Sequence, residues 1–383
     1  MNRLKGILYE IIGWLATLGP RKGGGVKKLL IVRIDEIGDF MLWRPFIKEM
    51  VSSEKYSGYE FHFCGNQSWK SLFLCLDKEL ISRFYWMDKI QFKKKMNYRY
   101  HFLKHIYRER YHVVINPTFS RDKRYDDSIV KAAKAPASLG MLANRESTHS
   151  YETGYDRNLY TNLFLYPEKP IFEFYRNRLF TEFITGKESA ITDTRLYPEC
   201  LPALSLELPE NYFVVFPGSR SKARIWSTEN FIRVSKYLFE NYGWTVIVCG
   251  TGADAVYANA FCEGYRHPVI NVTGKTSLPE MLTIFTKAQC LLSVDTGSVH
   301  LAAAVGCTVF GIFNGSQYKR FAPYPMFMAA NFYAVYPDEI EKELMQDAIV
   351  KQRYEFVVRV PYDSVKADKI ILAIHHHFAD KLS

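Results

Sequence analysis

The sequence reads CLLSVDTGSVHLAAA at residues 290–304. An apolar run typical of a buried strand ends at Asp295, and an alanine-rich helix pattern follows the Asp-Thr-Gly turn. A helix that begins where a strand ends directs its first backbone N–H groups out of the sheet edge, where an anion can bind. The stretch therefore predicts a phosphate-binding strand-turn-helix unit.

Two side chains of this stretch strengthen the prediction. Thr296 and His300 are four residues apart, so a helix places the hydroxyl and the imidazole on one face of its first turn. The simpler alternative is a helix N-cap at Asp295, which explains the Asp alone. Because that alternative leaves Gly297 and His300 unexplained, we favour an anion site. Its predicted residues are Asp295, Thr296, Gly297 and His300.

The composition limits the class of protein. The chain has 383 residues, 48% of them hydrophobic, which suits a globular protein of two or three domains. Its formal net charge is +10, with many of the cations between Lys93 and Lys134. This excess predicts an anionic partner, which is a phosphorylated lipid, a membrane surface or a nucleic acid. Seven cysteines without a C-x-x-C pair predict reduced thiols in a reducing compartment.

Residues 1–25 form a distinct amphipathic segment. Apolar residues recur at helical spacing from Leu4 to Leu18, with Trp14 among them and basic residues at both ends. The segment lacks the ~18 consecutive apolar residues of a spanning helix and the cleavage site of a secretory signal. Two interpretations stay open: a helix on a membrane surface, or a helix packed on the body of the protein or on a partner.

Strand and helix patterns alternate in two series. The predicted strands are 27–33, 60–63 and 112–115, then 212–216, 245–249, 269–272, 290–294 and 308–313. The predicted helices include 40–51, 228–242, 278–288, 299–305 and 364–381. These series predict an α/β protein with two doubly wound domains.

The predicted domains follow from the same series. After the segment 1–25 we predict a first domain at 26–205 and a second at 206–362, connected through the proline-containing stretch 197–209. A C-terminal helix at 363–383 is expected to pack back on the first domain. Three consecutive histidines in this helix cannot share one face, so we predict no metal site there.

Two further turns of the second domain carry polar residues. Parallel strands end at one edge of a sheet, so these turns converge there. In the loop 217–226, Ser219 and Lys222 are predicted to contact the same diphosphate; the alternative is a solvated basic loop. The pattern G-x-G-x-x-A at residues 250–255 lacks the acidic residue of a nicotinamide site. We expect it to contact a nucleoside instead, through Gly250, Thr251, Gly252 and Asn271.

Asp39 is the candidate catalytic residue of the first domain. It lies where the first predicted strand turns into its helix. A carboxylate there can accept a proton from an incoming hydroxyl, but a helix N-cap at the same position gives the same pattern. The position alone leaves both interpretations open.

Four stretches together resemble glycosyltransferase family 9, the heptosyltransferases of lipopolysaccharide core assembly. They are residues 30–39, 217–226, 272–278 and 295–303. They span most of the chain, whereas residues 90–200 show no such match. The resemblance implies a GT-B fold, in which two Rossmann-like domains face a cleft, with the acceptor on the first domain and a nucleotide sugar on the second.

The resemblance also implies roles for single residues. Asp39 is the implied general base, Thr296, Gly297 and His300 hold the diphosphate, and Lys222 compensates its charge. The family inverts the transferred sugar and needs no metal or other cofactor. The sequence agrees in having no D-x-D pair, since Asp126 and Asp127 are adjacent and lie in a predicted basic loop.

The implied function is sugar transfer, most simply of heptose from ADP-heptose, to a lipopolysaccharide core or a related anionic glycolipid. The basic surface and the N-terminal helix would then hold a cytoplasmic enzyme on the inner face of the cytoplasmic membrane. Two alternatives remain: a GT-B nucleotide-sugar epimerase or hydrolase, and a non-catalytic module that binds glycans or nucleic acid. No nucleic-acid motif is present, so a nucleic-acid partner is not predicted. The base and the sugar of the donor stay open.

Overall fold

A computed structural model of the protein describes residues 3–142, 158–165, 171–346 and 360–379. The chain forms two compact units. The first contains Met1–Glu168 and Phe174–Ile191, and the second contains Lys169–Glu173 and Thr192–Ser383. The stretch 197–209, predicted as the connection between domains, lies inside the second unit.

The first unit is built on a six-stranded parallel sheet. Its strands are β1 Lys27–Arg33, β2 Tyr59–Asn66, β3 Arg83–Met87, β4 Val113–Asn116, β5 Ala137–Met141 and β6 Asn162–Phe164. Its helices are α1 Arg3–Ala16, α2 Ile37–Trp43, α3 Ile47–Val51, α4 Lys70–Leu76, α5 Lys89–Lys94, α6 Met96–Arg108, α7 Asp126–Ala133 and α8 Glu173–Thr185. The strand order is β3-β2-β1-β4-β5-β6, and all neighbours are parallel.

The second unit repeats this architecture. Its strands are β7 Tyr212–Phe216, β8 Thr245–Val248, β9 Val269–Asn271, β10 Leu291–Val294, β11 Val309–Ile312 and β12 Phe332–Val335. Its helices are α9 Thr228–Tyr242, α10 Ala255–Gly264, α11 Leu278–Lys287, α12 Gly297–Ala304, α13 Asp338–Gln346 and α14 Ala367–Ala379. The order is β12-β11-β10-β7-β8-β9, again all parallel.

Both sheets have the strand order of a dinucleotide-binding fold, with a reversal beside the first strand of each series. The reversal lies between β1 and β4 in the first unit and between β7 and β10 in the second. Ligands of such sheets bind outside the carboxyl ends of the strands at this point. Asp39 follows β1, and the Asp295 turn follows β10. The topology therefore places each at the ligand edge of its own sheet.

Two local predictions need correction. The predicted helix 40–51 is divided into α2, a 3-10 turn at Arg44–Phe46 and α3, and it begins at Ile37. The C-terminal helix α14 packs on the second unit, whereas the sequence predicts packing on the first domain. Its apolar residues Ile370, Ile374 and Phe378 join the core of the second unit, and the helix packs against β11, β12 and α9. The amphipathic face of α14 is thus buried on its own sheet.

Candidate active site

The turn after β10 leads directly from the strand end at Val294 into α12, which begins at Gly297. Thr296 is the N-cap residue of α12, in an extended conformation, and makes no side-chain capping bond. Its hydroxyl lies 2.7 Å from the hydroxyl of Ser298, which in turn lies 2.8 Å from that of Ser293. Asp295 precedes the N-cap position, so the interpretation of Asp295 as a helix cap is wrong. The N-cap side chain thus accepts no hydrogen bond from the first backbone N–H groups of α12, so another acceptor can bind them.

His300 is buried within the first turns of α12. Only 4% of the residue is exposed, and its Nδ1 lies 2.8 Å from the hydroxyl of Tyr324. Burial, together with the nearby Arg224, lowers the pKa of His300 to about 3. The imidazole is therefore neutral at physiological pH and carries a single N–H proton. It can bind an anion as a hydrogen-bond donor but not as a cation.

Arg224 connects two of the predicted loops. Its guanidinium donates a hydrogen bond of 3.0 Å to the backbone carbonyl of Asp295 and forms an ion pair of 3.3 Å with the carboxylate. Burial raises the pKa of Asp295, while Arg224 and a hydrogen bond from Tyr362 partly oppose this rise. The predicted diphosphate residues of this loop are Ser219 and Lys222, not Arg224. The structure shows that it joins the loop after β7 to the turn after β10.

The loop after β7 presents the other two predicted diphosphate residues. Lys222 begins a 3-10 turn at Lys222–Arg224, and its side chain is exposed. Ser219 is partly buried, and its hydroxyl accepts a hydrogen bond of 3.3 Å from the N–H of Ser221. Through Arg224, this loop is tied to Asp295. Ser219 and Lys222 therefore belong to a loop that contacts the turn after β10.

The backbone of the loop after β7 lies close to a side chain of the loop after β8. A Cβ atom on Gly218 would lie 2.3 Å from a carboxylate oxygen of Asp254. Asp254 in turn accepts bonds of 2.8 and 2.7 Å from the N–H and hydroxyl of Thr251, forming a capping box. Thr251 thus has a structural role beside its predicted nucleoside contact. Glycine is required at 218 because no side chain fits there.

The loops after β8 and β9 are also in contact. The N–H of Gly274 donates a 2.9 Å bond to the carbonyl of Gly250, and a Cβ on Gly274 would lie 3.3 Å from Gly252. Asn271 ends β9, and its side-chain oxygen accepts a 3.0 Å bond from the N–H of Thr273. The hydroxyl of Thr273 is buried and has no hydrogen-bond partner. The predicted nucleoside residues therefore lie on two adjoining loops.

In the first unit, Asp39 lies in the first turn of α2 and is partly buried. The N-cap residue of this helix is Glu36, so Asp39 is not the cap. Glu36 pairs with Lys89 at 2.9 Å. A carboxylate in the first turn is stabilised by the partial positive charge at the helix N-terminus. Asp39 is therefore not the cap of this helix. A catalytic role for Asp39 is a proposal.

Arg33 holds the backbone around Asp39 in place. This arginine is fully buried at the end of β1, and it donates a 3.0 Å bond to the carbonyl of Asp39. The same guanidinium pairs with Asp35 at 2.8 Å and bonds to the Pro117 carbonyl at 2.7 Å. The side-chain oxygen of Asn177 accepts a further bond of 3.3 Å. Sequence patterns gave no sign of this network, because Pro117 and Asn177 are 84 and 144 residues away from Arg33 in the chain.

Asp126 and Asp127 do not lie in a basic loop, so this prediction is wrong. They begin α7 and are buried. Asp127 pairs with Arg121 at 3.0 Å and accepts a 2.7 Å bond from the hydroxyl of Tyr160. Asp126 accepts a 3.2 Å bond from the amide of Asn116, and burial beside Asp127 raises its pKa. Both carboxyls are thus engaged by protein partners. Across the described ranges, no group of three or more His, Cys, Asp and Glu side chains is placed to hold a metal ion.

Comparison with solved structures identifies the class of fold. A family 9 glycosyl transferase from Veillonella parvula superposes with a TM-score of 0.66 at 16% identity, covering 94% of this chain and 99% of that one. The E. coli heptosyltransferase WaaC, solved with ADP, superposes at 0.65 with 14% identity, covering 91% and 99%. At these identities the likeness shows the fold. It is the α/β fold of GT-B glycosyltransferases, as the sequence predicts.

Sequence comparison then gives the family. The family model of glycosyltransferase family 9 (heptosyltransferase) matches residues 147–338, about half of the chain. This protein belongs to glycosyltransferase family 9.

Curated relatives match over shorter regions. The lipopolysaccharide heptosyltransferase 3 of Escherichia coli K12 is 26% identical over 134 residues, which is 33% of this chain and 39% of the relative. The lipopolysaccharide core heptosyltransferase OpsX of Haemophilus influenzae is 24% identical over 143 residues, 36% of this chain and 40% of the relative. The chain thus spans about two fifths of the length of these curated relatives.

Proposed function

We propose that this protein is an inverting glycosyltransferase that uses a nucleoside diphosphate sugar, most simply ADP-heptose. The acceptor is a hydroxyl of a lipopolysaccharide core or a related anionic glycolipid. The observation that carries the proposal is the turn after β10, where Thr296 leaves the start of α12 without a side-chain cap. A helix start of this kind is an anion site. The family and the ADP-containing relative support the choice of donor.

The second unit supplies the groups that hold the donor. In this proposal the first N–H groups of α12, the Thr296 hydroxyl and His300 contact the diphosphate, with Lys222 and Ser219 on the opposite loop. Because His300 is neutral and Tyr324 occupies Nδ1, Nε2 is the nitrogen left for a phosphate oxygen. Gly250, Thr251, Gly252 and Asn271 contact the nucleoside. These fixed donors stabilise the charge that develops on the departing diphosphate.

The first unit supplies the base. The Asp39 carboxylate takes the proton of the acceptor hydroxyl while the hydroxyl oxygen forms a bond to the anomeric carbon of the sugar. The bond from that carbon to the diphosphate oxygen breaks, and its electron pair leaves with the nucleoside diphosphate. Attack from the face opposite the leaving group inverts the anomeric centre. In this account the protein groups take the place of a metal ion.

The proposed location follows from the acceptor. A lipopolysaccharide core is anchored in lipid and carries anionic groups, so the enzyme is expected on the cytoplasmic face of the inner membrane as a peripheral protein. The positive net charge of +10 supports attraction to such a surface. None of the helices in the described ranges is long and apolar enough to cross a membrane.

A donor panel tests the donor half of the proposal. Purified protein is heated with ADP-heptose, UDP-sugars, GDP-sugars and CDP-sugars in turn. A ligand at ~100 times its dissociation constant stabilises the native state by ~2.7 kcal/mol, which is a clear shift in melting temperature. We expect a shift with ADP-heptose. A shift with another nucleotide sugar would replace the donor, and no shift with any would contradict a transferase. Nucleotide release that needs no acceptor would indicate the hydrolase or epimerase alternative.

A further inference from the structure

Helix α1 is held on the first unit by one of its faces. Tyr9 and Ala16 are buried, and the Tyr9 hydroxyl donates a 2.7 Å bond to the backbone carbonyl of Lys93. The guanidinium of Arg99 lies 4.4 Å from the centre of the Tyr9 ring. Glu10 forms an ion pair with Lys131 of α7. These contacts fix the orientation of α1 on α6 and α7.

Among residues 4–16 of α1, most of the exposed side chains are apolar, and Lys5 and Glu10 are the polar exceptions. The exposed large hydrophobic side chains are between 41% and 73% exposed, and they continue to Leu18, just past the helix. They are Leu4, Ile7, Leu8, Ile11, Trp14, Leu15 and Leu18. Scattered apolar residues are normal on a protein surface, but seven on one short segment form a patch of the kind that marks an interaction surface. We call these seven residues the α1 face.

Cations lie beside the segment that carries the α1 face at two points. The Tyr9 bond places the run Lys93-Lys94-Lys95, which is exposed, next to the middle of α1. Near its end, the Lys104 ammonium donates a hydrogen bond to the carbonyl of Leu18. Residues 89–110 contain eight Lys and Arg against the single Glu109, and Glu109 is already paired with Lys22, Lys28 and Arg83. The apolar patch therefore lies beside a segment in which basic residues outnumber acidic ones.

This combination selects an anionic lipid surface as the partner. A second copy of the chain would bring the same cations opposite each other if it covered the patch symmetrically. The 14 residues of α1 extend ~21 Å at 1.5 Å per residue, too short for the ~30 Å of a hydrocarbon core. A helix that lies in the interface, with Trp14 at the headgroup level and cations against anionic lipid, fits both features.

We propose that the α1 face, bordered by the lysines at 93–95, is the surface by which the protein docks on an anionic bilayer. The proposed membrane location is thereby assigned to one surface of the protein, the α1 face. The choice of a lipid bilayer as the partner rests on the proposed function. The docking surface lies in the first unit, whereas the proposed donor site lies in the second. Docking and donor binding can therefore fail separately.

Vesicle flotation with the full chain tests the proposal. The vesicles are pure phosphatidylcholine, or phosphatidylcholine with a quarter phosphatidylglycerol. The variant I7S/I11S/W14S changes only exposed residues, and the control V256S/M326S/M345S removes apolar side chains of the second unit that are even more exposed. We expect the first variant to lose at least tenfold of its binding to the anionic vesicles and the control to bind as the unmodified protein does. ADP-heptose affinity should be unchanged in both.

A second variant tests the contribution of the lysines at 93–95 to vesicle binding. Since a single cation near an anionic surface contributes about fivefold in binding, K93E/K94E/K95E should also bind the anionic vesicles at least tenfold more weakly, and high salt should have the same effect. Equal binding by the α1 variant, or equal binding to both kinds of vesicle, would overturn the proposal. A dimer in ultracentrifugation that the α1 variant abolishes, without vesicle binding, would assign the face to a second copy instead.

Discussion

The hydroxyl of Tyr324 lies 2.8 Å from Nδ1 of His300, and both side chains are buried. The tyrosine ring packs against Phe172 at 4.9 Å and Phe332 at 4.5 Å between ring centroids. Burial raises the pKa of Tyr324, so the hydroxyl keeps its proton and can donate it to Nδ1. The proton of the neutral imidazole then sits on Nε2, which the proposed site uses to bind the diphosphate. Tyr324 is thus a positioning residue for His300.

The substitution Tyr324→Phe should weaken ADP-heptose binding about three- to tenfold, the equivalent of one neutral hydrogen bond of ~0.5–1.5 kcal/mol. The ring packing is retained, so the loss reports on the imidazole. Calorimetric titration measures the affinity. Tyr333→Phe is the matched control, because the Tyr333 hydroxyl also lies 2.8 Å from a histidine Nδ1, that of His377, outside the proposed site. Equal effects of the two changes would contradict the role of Tyr324.

The lowered pKa of His300 predicts how donor affinity and the stability of the fold depend on pH. The imidazole is neutral well above pH 3, and the diphosphate diester of a nucleotide sugar does not titrate near neutrality. Donor affinity should therefore stay constant between pH 6 and 8. The unfolded chain binds a proton below about pH 6.5 while the folded one does not, so stability falls as the pH drops from there toward 3. A donor affinity that rises steeply below pH 7 would show a charged His300 and contradict this account.

Arg33 should be essential for the stability of the first unit. Replacing it by Met leaves the Asp35 carboxylate, the Asp39 carbonyl and the amide oxygen of Asn177 without their shared donor. Loss of one partner of a buried ion pair costs ~3–5 kcal/mol, which chemical denaturation can measure. Arg233→Met is the control, since its ion pair with Asp368 is exposed on both sides and should contribute under ~1 kcal/mol. Similar losses in both variants would show that the Arg33 network is unimportant.

Gly218 offers a prediction about the donor loops. A methyl group there would lie 2.3 Å from Asp254, so Gly218→Ala should displace the loop at 250–254. We expect a loss of ~1–3 kcal/mol in stability, as for other overpacked sites, with weaker donor binding. Gly252→Ala, in the loop at 250–254, is a control for stability alone, because a Cβ there meets nothing within 4 Å. If Gly218→Ala melts at the temperature of the parent protein, the close approach is wrong.

Much of the fold could be predicted from local patterns. Fully buried parallel strands read as apolar runs, so 212–216 is found at its exact bounds, as is the helix 228–242 with Gly243 in the left-handed conformation after it. The strands β3, β5, β6 and β12 were missed. Three of them, β3, β6 and β12, lie at sheet edges and are only partly buried, so β3 carries an arginine and aromatic residues instead of an apolar run. The interior strand β5 has the sequence ASLGM, in which a serine and a glycine interrupt the apolar run.

The candidate site was predictable where it depends on one turn and unpredictable where it depends on distant partners. The Asp-Thr-Gly turn with His300 is contiguous, and its helix start can be recognised from the sequence. In contrast, Asn177 meets Arg33 across 144 residues, and Tyr324 meets His300 across 24. No periodicity or motif connects such pairs. The side chains that orient the site residues therefore emerge only from the folded chain.

The central claim is that Asp39 is the base of a sugar transfer. Its most direct test is the turnover of ADP-heptose with a heptose-deficient lipopolysaccharide core, measured as acceptor mass gain and ADP release, for the parent protein and Asp39→Asn. We expect coupled transfer by the parent protein and a loss of ~10²–10⁴ in rate for the variant, with donor affinity unchanged. Transfer by Asp39→Asn at the rate of the parent protein would contradict the assignment.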